Sequence, residues 1–332
     1  MEVVGMTERS SREDTGAWSA VASPDRRDGR VYVMPDEVAL AVEVALATGR
    51  PLLLRGAPGS GKSSLAAFVA YERGWRYYEH VVTSRTKSED LLWMYDHVRR
   101  LSDAQVRDSG TDLVDARYVT PGALWWAFDP VSAAGGTNGS PARADPLGGI
   151  NAHRDPQHVV VLIDEIDKAD PDMPNSLLVP LGSHQFTVSD TGEQVRRRAT
   201  AETGDGNCST VGQHLVIITT NEERELPQAF LRRCVIASLA EPDPDRLVEI
   251  ARAHFSMYDG GFSVEDERLA IELAAELDRS RAEARKRAMR APSTAEFLDA
   301  LRACKNLGIG LGDERWPLLK SLTLLKPQQP EA

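Results

Sequence analysis

Gly56-Ala57-Pro58-Gly59-Ser60-Gly61-Lys62-Ser63 (GAPGSGKS) is the most informative stretch of this sequence. It matches the glycine-rich pattern G-x-x-x-x-G-K-S, whose backbone cradles phosphate groups. The apolar run PLLLRG (51–56) leads into it, and the helical run SSLAAFVAYERG (63–74) follows it. A chance match in a glycine-rich turn is the alternative, but the strand before it and the helix after it are the context that a phosphate loop requires. The stretch therefore predicts a nucleotide phosphate site.

Each residue type in this phosphate loop has a physical reason. Glycines let backbone N–H groups curl around phosphate oxygens, and the N-terminus of the following helix favours negative charge. Lys62 can reach the β- and γ-phosphates, and the Ser63 hydroxyl is placed to bind Mg²⁺. Ser64 opens the same helix. We therefore expect residues from Gly56 to Ser64 to contact the nucleotide.

Two adjacent carboxylates follow the apolar run VVVLI (159–163). Asp164 and Glu165 at the end of a buried strand are costly unless they contact a cation or water. Neighbouring strand side chains point in different directions, so one can bind a metal while the other faces an attacking water. We predict Asp164 as a metal ligand and Glu165 as the general base. For Asp167 and Asp170, capping of the next helix is favoured over metal binding.

Short apolar runs alternate with helical segments as far as Pro242. Near-continuous apolar runs suit strands that are buried on both faces of a parallel sheet. After Pro242 the strand-like runs stop, and only helical patterns follow. The sequence therefore predicts a doubly wound α/β core followed by a small all-α domain. The strand-like runs are 51–56, 75–83, 159–163, 215–220 and 235–239, and the late helical segments are 244–258, 264–289, 293–306 and 314–325.

Three segments depart from this alternation. Residues 1–30 mix both charge signs with Ser and Gly, which predicts a disordered tail. The Gly-, Pro- and Ala-rich segment 129–158 and the polar segment 191–213 are expected to be flexible insertions. The predicted organisation is a nucleotide-binding core over 31–241 and a helical domain over 242–332.

Composition excludes several classes of protein. A formal net charge of −11 argues against a general binder of nucleic acid or anionic membranes. Cys208, Cys234 and Cys304 are far apart and form no metal-type or redox-type pair, which favours a reduced compartment. No apolar run approaches the roughly 18 residues that span a bilayer, and the N-terminus lacks an apolar signal core. We therefore expect a cytoplasmic protein without membrane insertion.

The order of these motifs resembles that of AAA+ ATPases. The phosphate loop is followed by VVVLIDEIDKAD (159–170), by VIITTNEERELPQAFLRRC (216–234) and then by helices. The resemblance implies a five-stranded parallel sheet with a helical lid, ATP and Mg²⁺ as ligands, and a homo-oligomeric ring, expected to be a hexamer. Asn221 stands at the family's polar sensor position, which orients the attacking water. From the residues alone, an asparagine that ends a strand in a turn is an equal alternative.

The resemblance also implies that a neighbouring subunit completes the site. Arg232 and Arg233 follow the short helix after Asn221, where family members carry arginines that reach the next subunit's phosphates. Arg233 matches that position better, and Arg232 offers a second contact. The alternative is a pair of surface arginines that bond to helix-end carbonyls. The lid arginine of many members is missing: Thr294 stands near its place, and Arg290 is a possible substitute.

Four stretches are similar to the MoxR branch of these ATPases, and most of all to its CoxD-like members, which are often linked to proteins with a von Willebrand factor A domain. The implied function is remodelling or activation of a partner protein. A nucleic-acid motor or loader and a slow nucleotide-gated switch remain as alternatives. Tyr32 and Val33 lie where the family often contacts adenine, although they could equally start the first helix. The four stretches are VTSRTKSEDLLW (82–93), YVTPGALWWAF (118–128), ELPQAFLRRC (225–234) and APSTAEFLDALRAC (291–304).

Overall fold

The computed structural model describes residues 28–106, 114–136, 142–197, 212–287 and 289–324. Within these ranges, short strands and helices alternate up to Ser238, and helices alone follow. The strands are β1 (Leu52–Arg55), β2 (Trp75–Val81), β3 (Trp93–Tyr95), β4 (Val119–Pro121), β5 (Asp155–Asp164), β6 (Gln185–Thr187), β7 (Gln194–Arg196), β8 (His214–Thr220) and β9 (Val235–Ser238).

The helices of the described ranges vary from single turns to one of 23 residues. Several have clear end signals: Gly49 and Gly74 end the first two helices in the left-handed conformation, and Ser263 and Ser293 each begin a later helix with a capping box. The helices are α1 (Asp36–Thr48), α2 (Lys62–Arg73), α3 (His97–Val106), α4 (Ala123–Phe128), α5 (Pro130–Ala134), α6 (Gly148–Asn151), α7 (Met173–Ser176), α8 (Leu178–Ser183), α9 (Gln228–Leu231), α10 (Pro244–Tyr258), α11 (Val264–Lys286), α12 (Thr294–Leu307) and α13 (Trp316–Thr323).

Five strands form one parallel sheet in the order β2-β5-β8-β1-β9. Leu53 of β1 lies opposite Ile218 of β8 on one side and Ile236 of β9 on the other. Ile163 of β5 also lies opposite Ile218. The carboxyl ends of β1, β5 and β8 therefore meet at one edge, where ligands bind in open α/β sheets. The predicted five-stranded parallel sheet is confirmed.

The sheet is buried on both faces, as its apolar runs predict. Leu53 and Ile163 belong to one hydrophobic cluster, whereas Leu52 and Leu162 belong to the cluster on the other side. All four side chains are fully buried, and burial of each contributes roughly 1.5–3 kcal/mol. This double burial fixes the strand ends that carry the polar residues of the site.

The helical region after Pro242 has its own apolar core. Phe255 of α10, Leu273 of α11 and Phe297 of α12 are fully buried in one cluster. The four helices predicted here are present, although α11 ends at Lys286, where Arg287 closes it with backbone bonds to the last turn. The helical region is thus confirmed, with element bounds close to those read from the sequence.

The segment 129–158 was predicted to be one long flexible loop, and this is wrong for its described part. It contains α5 and α6, and β5 begins within it at Asp155. The Asn151 carboxamide accepts the Tyr77 N–H at 2.9 Å, and Asp145 accepts the Tyr78 hydroxyl at 3.0 Å. These bonds tie the segment to β2, an effect of tertiary contact that its Gly- and Pro-rich composition conceals. Residues 137–141 lie outside the described residues.

The segment 191–213 is also partly regular. β7 pairs with β6 in a short antiparallel hairpin, with Phe186 opposite Val195. Phe186 stacks on Trp93, with ring centroids 5.7 Å apart, and meets the edge of Trp125. The prediction of a flexible insertion is therefore wrong for residues 194–197, because the hairpin is anchored by aromatic packing. Residues 198–211 lie outside the described residues.

The predicted N-terminal tail reaches too far along the chain. Residues 1–27 lie outside the described residues, but Gly29 is buried with a left-handed φ of 75°. A Cβ on Gly29 would stand 2.2 Å from the carbonyl oxygen of Ala67 in α2. Asp28 accepts a hydrogen bond from the Tyr258 hydroxyl of α10. Residues 28–30 therefore form a strap over the core rather than part of a tail.

Candidate nucleotide-binding site

A cavity of about 550 Å³ lies between the phosphate loop and the helical region. Residues 58–64 line one side of it, and Thr294 and Leu298 of α12 line another. Gly59 has a φ of 74°, and a Cβ there would stand 2.5 Å from the Cβ of Ser293. A glycine is therefore required at position 59 by both its backbone conformation and the contact with the helical region.

Lys62 and Ser60 have the properties expected of groups that bind an anion. The Lys62 ammonium is buried and donates to the carbonyls of Gly56 at 2.7 Å and Ala57 at 2.8 Å. Burial lowers the pKa of Lys62, and the nearby carboxylates, Asp164 foremost, oppose that shift. The Ser60 hydroxyl oxygen is buried without a hydrogen-bond partner in the described part of the chain. A phosphate group would supply acceptors for both, so the loop fits the predicted ligand.

The two predicted magnesium ligands are in direct contact. The Ser63 hydroxyl donates to Asp164 Oδ1 at 2.7 Å, and the Thr219 hydroxyl donates to the same oxygen at 2.6 Å. Asp164 is buried because β5 lies between two other strands. A hydroxyl and a carboxylate oxygen at this edge match the oxygen donors that Mg²⁺ prefers. Sequence reasoning missed Thr219, which precedes the sensor residue by two positions.

Glu165 lies beside Asn221, as its predicted role requires. Its backbone is left-handed, with a φ of 60°, and its N–H donates to the Thr219 hydroxyl at 2.8 Å. The Asn221 amide approaches Glu165 Oε1 at 3.4 Å, and Lys168 donates to Oε2 at 2.7 Å. Hydrogen bonding to Glu165 raises the pKa of Lys168. Sequence reasoning missed Lys168, because its contact depends on the tight turn after β5.

Asp167 does not cap a helix, contrary to the sequence prediction. It lies in a 3₁₀ turn (Ile166–Lys168) and is buried. Its Oδ2 accepts the N–H groups of Asn221 at 3.1 Å and of Glu223 at 3.0 Å. Asp170 is exposed and accepts the Asp172 N–H in a local turn. The carboxylate of Asp167 therefore joins the turn after β5 to the loop after β8.

Arg232 and Arg233 stand apart from this cavity. Both are exposed, and neither lines the cavity. Arg233 donates to the carbonyl of Ala229 in α9 at 3.1 Å, and the Arg232 carbonyl accepts from Arg50. Within one subunit the Arg233 side chain matches the alternative in which it bonds to a helix carbonyl, and neither arginine reaches the cavity of its own subunit.

The helical region offers cations that the sequence did not indicate. Arg246 of α10 and Arg302 of α12 line the cavity, together with Thr294. Arg246 donates to the Val33 carbonyl at 3.0 Å, and Arg302 lies 3.4 Å from Asp259. Arg290, which the sequence left open as a substitute for the lid arginine, approaches Glu296 at 3.4 Å and does not line the cavity.

An apolar wall closes the cavity on the side of the N-terminal strap. Tyr32, Val33, Val38 and Leu239 line it. The Tyr32 ring packs on Phe68 of α2, with centroids 5.6 Å apart, and burial raises the pKa of its hydroxyl. Apolar and aromatic side chains of this kind suit a nucleobase. The placement is compatible with the adenine contact that the sequence left open for Tyr32 and Val33.

The sequence profile of the AAA domain (dynein-related subfamily) matches residues 51–234, which include the phosphate loop, Asp164, Glu165 and Asn221. The chain belongs to this AAA family. This AAA protein is accordingly an ATPase with a nucleotide-binding α/β core and a C-terminal helical region. None of the helices in the described ranges combines the length and the apolar character that crossing a bilayer requires.

Comparison with solved structures gives remote similarities. A mutant of RuvB from Thermotoga maritima is 15% identical over 86% of this chain and 74% of that chain, with a TM-score of 0.37. A candidate ATPase from Cytophaga hutchinsonii is 14% identical over 85% of this chain and 77% of that chain, with a TM-score of 0.41. A comparison with curated proteins gives no match.

Proposed function

We propose that this AAA protein is a Mg²⁺-dependent ATPase of the MoxR branch that remodels or activates a partner protein. The observation that carries the proposal is the position of Glu165, which lies beside Asn221 and immediately after Asp164. A base, an amide that orients water and a metal ligand at one strand edge are the parts that hydrolysis needs. A protein that only binds nucleotide has no need for Glu165 at this place.

Each residue of the phosphate loop has a proposed task. Backbone N–H groups of residues 56–61 and the Ser60 hydroxyl bind phosphate oxygens, and Lys62 exchanges its two carbonyl partners for them. Ser63 and Asp164 hold Mg²⁺, which when bound neutralises charge on the phosphates. The described residues contain no group of three or more His, Cys, Asp and Glu that could hold a metal. A site with Ser63 and Asp164 as its protein ligands suits a Mg²⁺ ion that arrives with the nucleotide.

Hydrolysis then depends on two side chains. Glu165 accepts a proton from the attacking water, and Asn221 orients that water toward the γ-phosphorus. Thr219 holds the metal ligand and the base in place, because its hydroxyl donates to Asp164 and accepts the backbone N–H of Glu165. Glu165 must be free to accept the proton, so its 2.7 Å bond to the half-exposed Lys168 has to open during turnover.

The outward position of Arg232 and Arg233 supports a shared active site. A guanidinium placed against the γ-phosphoryl oxygens stabilises the charge of the transition state. The described part of one subunit places neither arginine in its own cavity, so we propose that Arg233, with Arg232 beside it, reaches the phosphates of the next subunit in a homo-oligomeric ring, expected to be a hexamer.

The charge pattern supports a protein partner over nucleic acid. Several arginines of the basic segment 279–290 are already bonded to acidic residues: Arg279 to Glu276, Arg285 to Glu241 and Arg287 to Glu283. These pairs leave little cationic surface for phosphates of DNA or RNA.

Resemblance to CoxD-like proteins points to a partner with a von Willebrand factor A domain. We further propose residues 31–241 as the core and 242–332 as the lid.

The partner is tested by capture with a hydrolysis-deficient variant. Glu165→Gln should hold ATP without turning it over, and it should retain a protein with a von Willebrand factor A domain more strongly in ATP than in ADP. Equal retention in both nucleotides, or stimulation of wild-type hydrolysis by DNA instead, would overturn the partner proposal.

The shared site is tested by mixing two inactive variants. Arg233→Ala should bind ATP normally yet hydrolyse it slowly. Mixing it with Glu165→Gln subunits should restore activity, because some interfaces then have an intact base on one side and an intact arginine on the other. Full turnover by a strictly monomeric preparation, or inactive mixtures despite proven co-assembly, would contradict the shared site.

A further inference from the structure

Asp167 joins the two segments that carry the hydrolytic side chains. It follows Glu165 by two residues in the turn after β5. Its Oδ2 accepts two backbone N–H groups from the loop after β8, those of Asn221 and Glu223. Lys168, the next residue, bonds to the Glu165 carboxylate. One short turn therefore contacts both the base and the backbone of the sensor residue.

The sensor loop depends on this contact for its shape. Glu222, between the two bonded residues, is left-handed with a φ of 61°, and its N–H donates to the Thr220 hydroxyl at 2.9 Å. A glutamate in the left-handed conformation is strained, and it keeps that conformation only where surrounding contacts hold it. Asp167 thus binds the residues before and after Glu222, and the Thr220 hydroxyl binds Glu222 itself. In this loop conformation the Asn221 amide lies 3.4 Å from Glu165 Oε1.

The burial of Asp167 is expensive for a residue that only closes a turn. The side chain is 3% exposed, and its Oδ1 accepts no hydrogen bond in the described part of the chain. A buried carboxylate oxygen without a donor costs stability. The charge does strengthen the two N–H bonds to Oδ2, because hydrogen bonds to an ionised acceptor are the stronger ones. The two bonds to Asp167 therefore make the sensor loop rigid, and this rigidity offsets the cost of burying the carboxylate.

We propose that Asp167 is a positioning residue for ATP hydrolysis. It acts through Asn221, holding that amide beside Glu165 so that both side chains address the same water. The inference rests on the proposed roles of Asn221 and Glu165. It assigns Asp167 no contact with nucleotide or metal, and the residue therefore affects turnover and leaves nucleotide affinity nearly constant.

The effect of removing this bond follows from geometry. Without an acceptor for its two N–H groups, the loop relaxes and the Asn221 amide moves away from Glu165. A displacement of about 1 Å in a positioning group costs on the order of 100-fold in rate. Asp167→Ala should lower kcat roughly 10- to 100-fold with little change in KM. Asp167→Asn should lose less, because a carboxamide oxygen can still accept both N–H groups.

The matched control is Asp170→Ala, which removes an exposed aspartate three residues further along the same segment. It should keep wild-type kcat. Thermal melting with and without nucleotide, and the Kd of a fluorescent ATP analogue, establish that each variant is folded and binds. If Asp167→Ala does not fold, the comparison is made with Asp167→Asn, which should still lower kcat measurably.

A double-mutant cycle separates positioning from mere bracing of the fold. If Asp167 acts through Asn221, its loss in an Asn221→Ala background should change kcat less than twofold, although each single variant is slow. Effects that multiply instead would overturn the inference, as would a normal kcat in Asp167→Ala. A normal kcat in Asn221→Ala would contradict the proposed function of the sensor residue itself, and the two failures are thereby distinguished.

Discussion

The two edges of the central sheet have opposite chemistry. At the carboxyl edge, the hydroxyls of Ser63 and Thr219 both donate to Asp164, which lies near the Lys62 ammonium. At the amino edge, where β2 and β8 begin, basic side chains surround an aromatic ring and find few acidic partners. The first edge is built for a ligand that brings its own charge. The second is made of basic and aromatic side chains that pack on one another.

The amino edge brings Arg76, His184 and Arg197 close to His214, and Phe128 packs on both histidines. The two histidine rings lie 6.1 Å apart, and each packs on Phe128. Arg76 donates to the carbonyl of Trp126 at 3.0 Å. Burial lowers the pKa of His214 to about 2, and the neighbouring Arg197 adds to the shift. This edge stabilises the fold only while its imidazoles remain neutral.

The largest expected effect lies at the carboxyl edge. Glu165→Gln should slow ATP hydrolysis by roughly 10²–10⁴-fold, the usual cost of a lost general base, while ATP still binds. Steady-state turnover and the Kd of a fluorescent ATP analogue measure the two quantities. Wild-type turnover in this variant would show that the base is another residue.

Loss of the lysine at the same edge should affect binding rather than melting. Lys62→Ala removes a charged donor aimed at the phosphates, and charged hydrogen bonds contribute about 1.5–3 kcal/mol, which corresponds to roughly a 10- to 150-fold weaker Kd. The exposed Lys286→Ala is the control and should bind normally. If both variants bind ATP equally well, the phosphates do not lie in the loop 56–63.

The amino edge should show the reverse pattern, with an effect on stability and none on nucleotide affinity. Arg76→Met keeps most of the side-chain volume but leaves the carbonyls of Trp126 and Ala127 without their donor. The expected loss is about 1–3 kcal/mol of unfolding free energy, measured by denaturant titration. Arg99→Met, on the exposed face of α3, is the control. An Arg76→Met variant with wild-type stability and weakened ATP binding would contradict the proposed difference between the two edges.

The smallest expected effect is a pH dependence at the amino edge. The pKa of His214 is about 2 in the folded chain, against an ordinary value of about 6.5. The unfolded chain therefore binds a proton below about pH 6.5 that the folded chain refuses, and stability falls as the pH drops from there by at most about 1.4 kcal/mol per unit. Above that pH this contribution is fully present.

His214→Phe should therefore flatten the fall in melting temperature between about pH 6.5 and 5, since Phe can keep the stacking on Phe128. His153→Phe, at an exposed position, should leave the acid dependence as in the wild type. Equal acid sensitivity in the wild type and in His214→Phe would mean that other groups govern the loss.

The same contrast explains how far the sequence could be read. Asp164 and Asn221 end or follow apolar runs, and Ser63 belongs to the loop that follows one. Parallel strands bring such ends together, so their meeting was predictable. Thr219 and Lys168 were missed, although they lie within the same motifs, because their contacts depend on strand register and on the turn after β5. Asp167 was misread as a helix cap for the same reason.

The amino edge had no contiguous signal at all. Arg76, His184 and His214 come from three separate parts of the chain and meet only through strand order and the β6–β7 hairpin. The helices in 129–158 were missed because residues such as Asn151 are ordered by β2, not by local propensity. The composition of this segment shows that it is rich in glycine and proline, but it does not show that contacts with β2 order it.

Gly59 of the phosphate loop lies against Ser293, the residue that begins α12. A shift of either element changes this contact, so we expect nucleotide binding and the placement of α12 to be coupled. Such coupling is reciprocal: a partner that shifts α12 alters nucleotide affinity by the same factor by which nucleotide alters affinity for that partner. A titration of either one in the presence of the other would measure the same number.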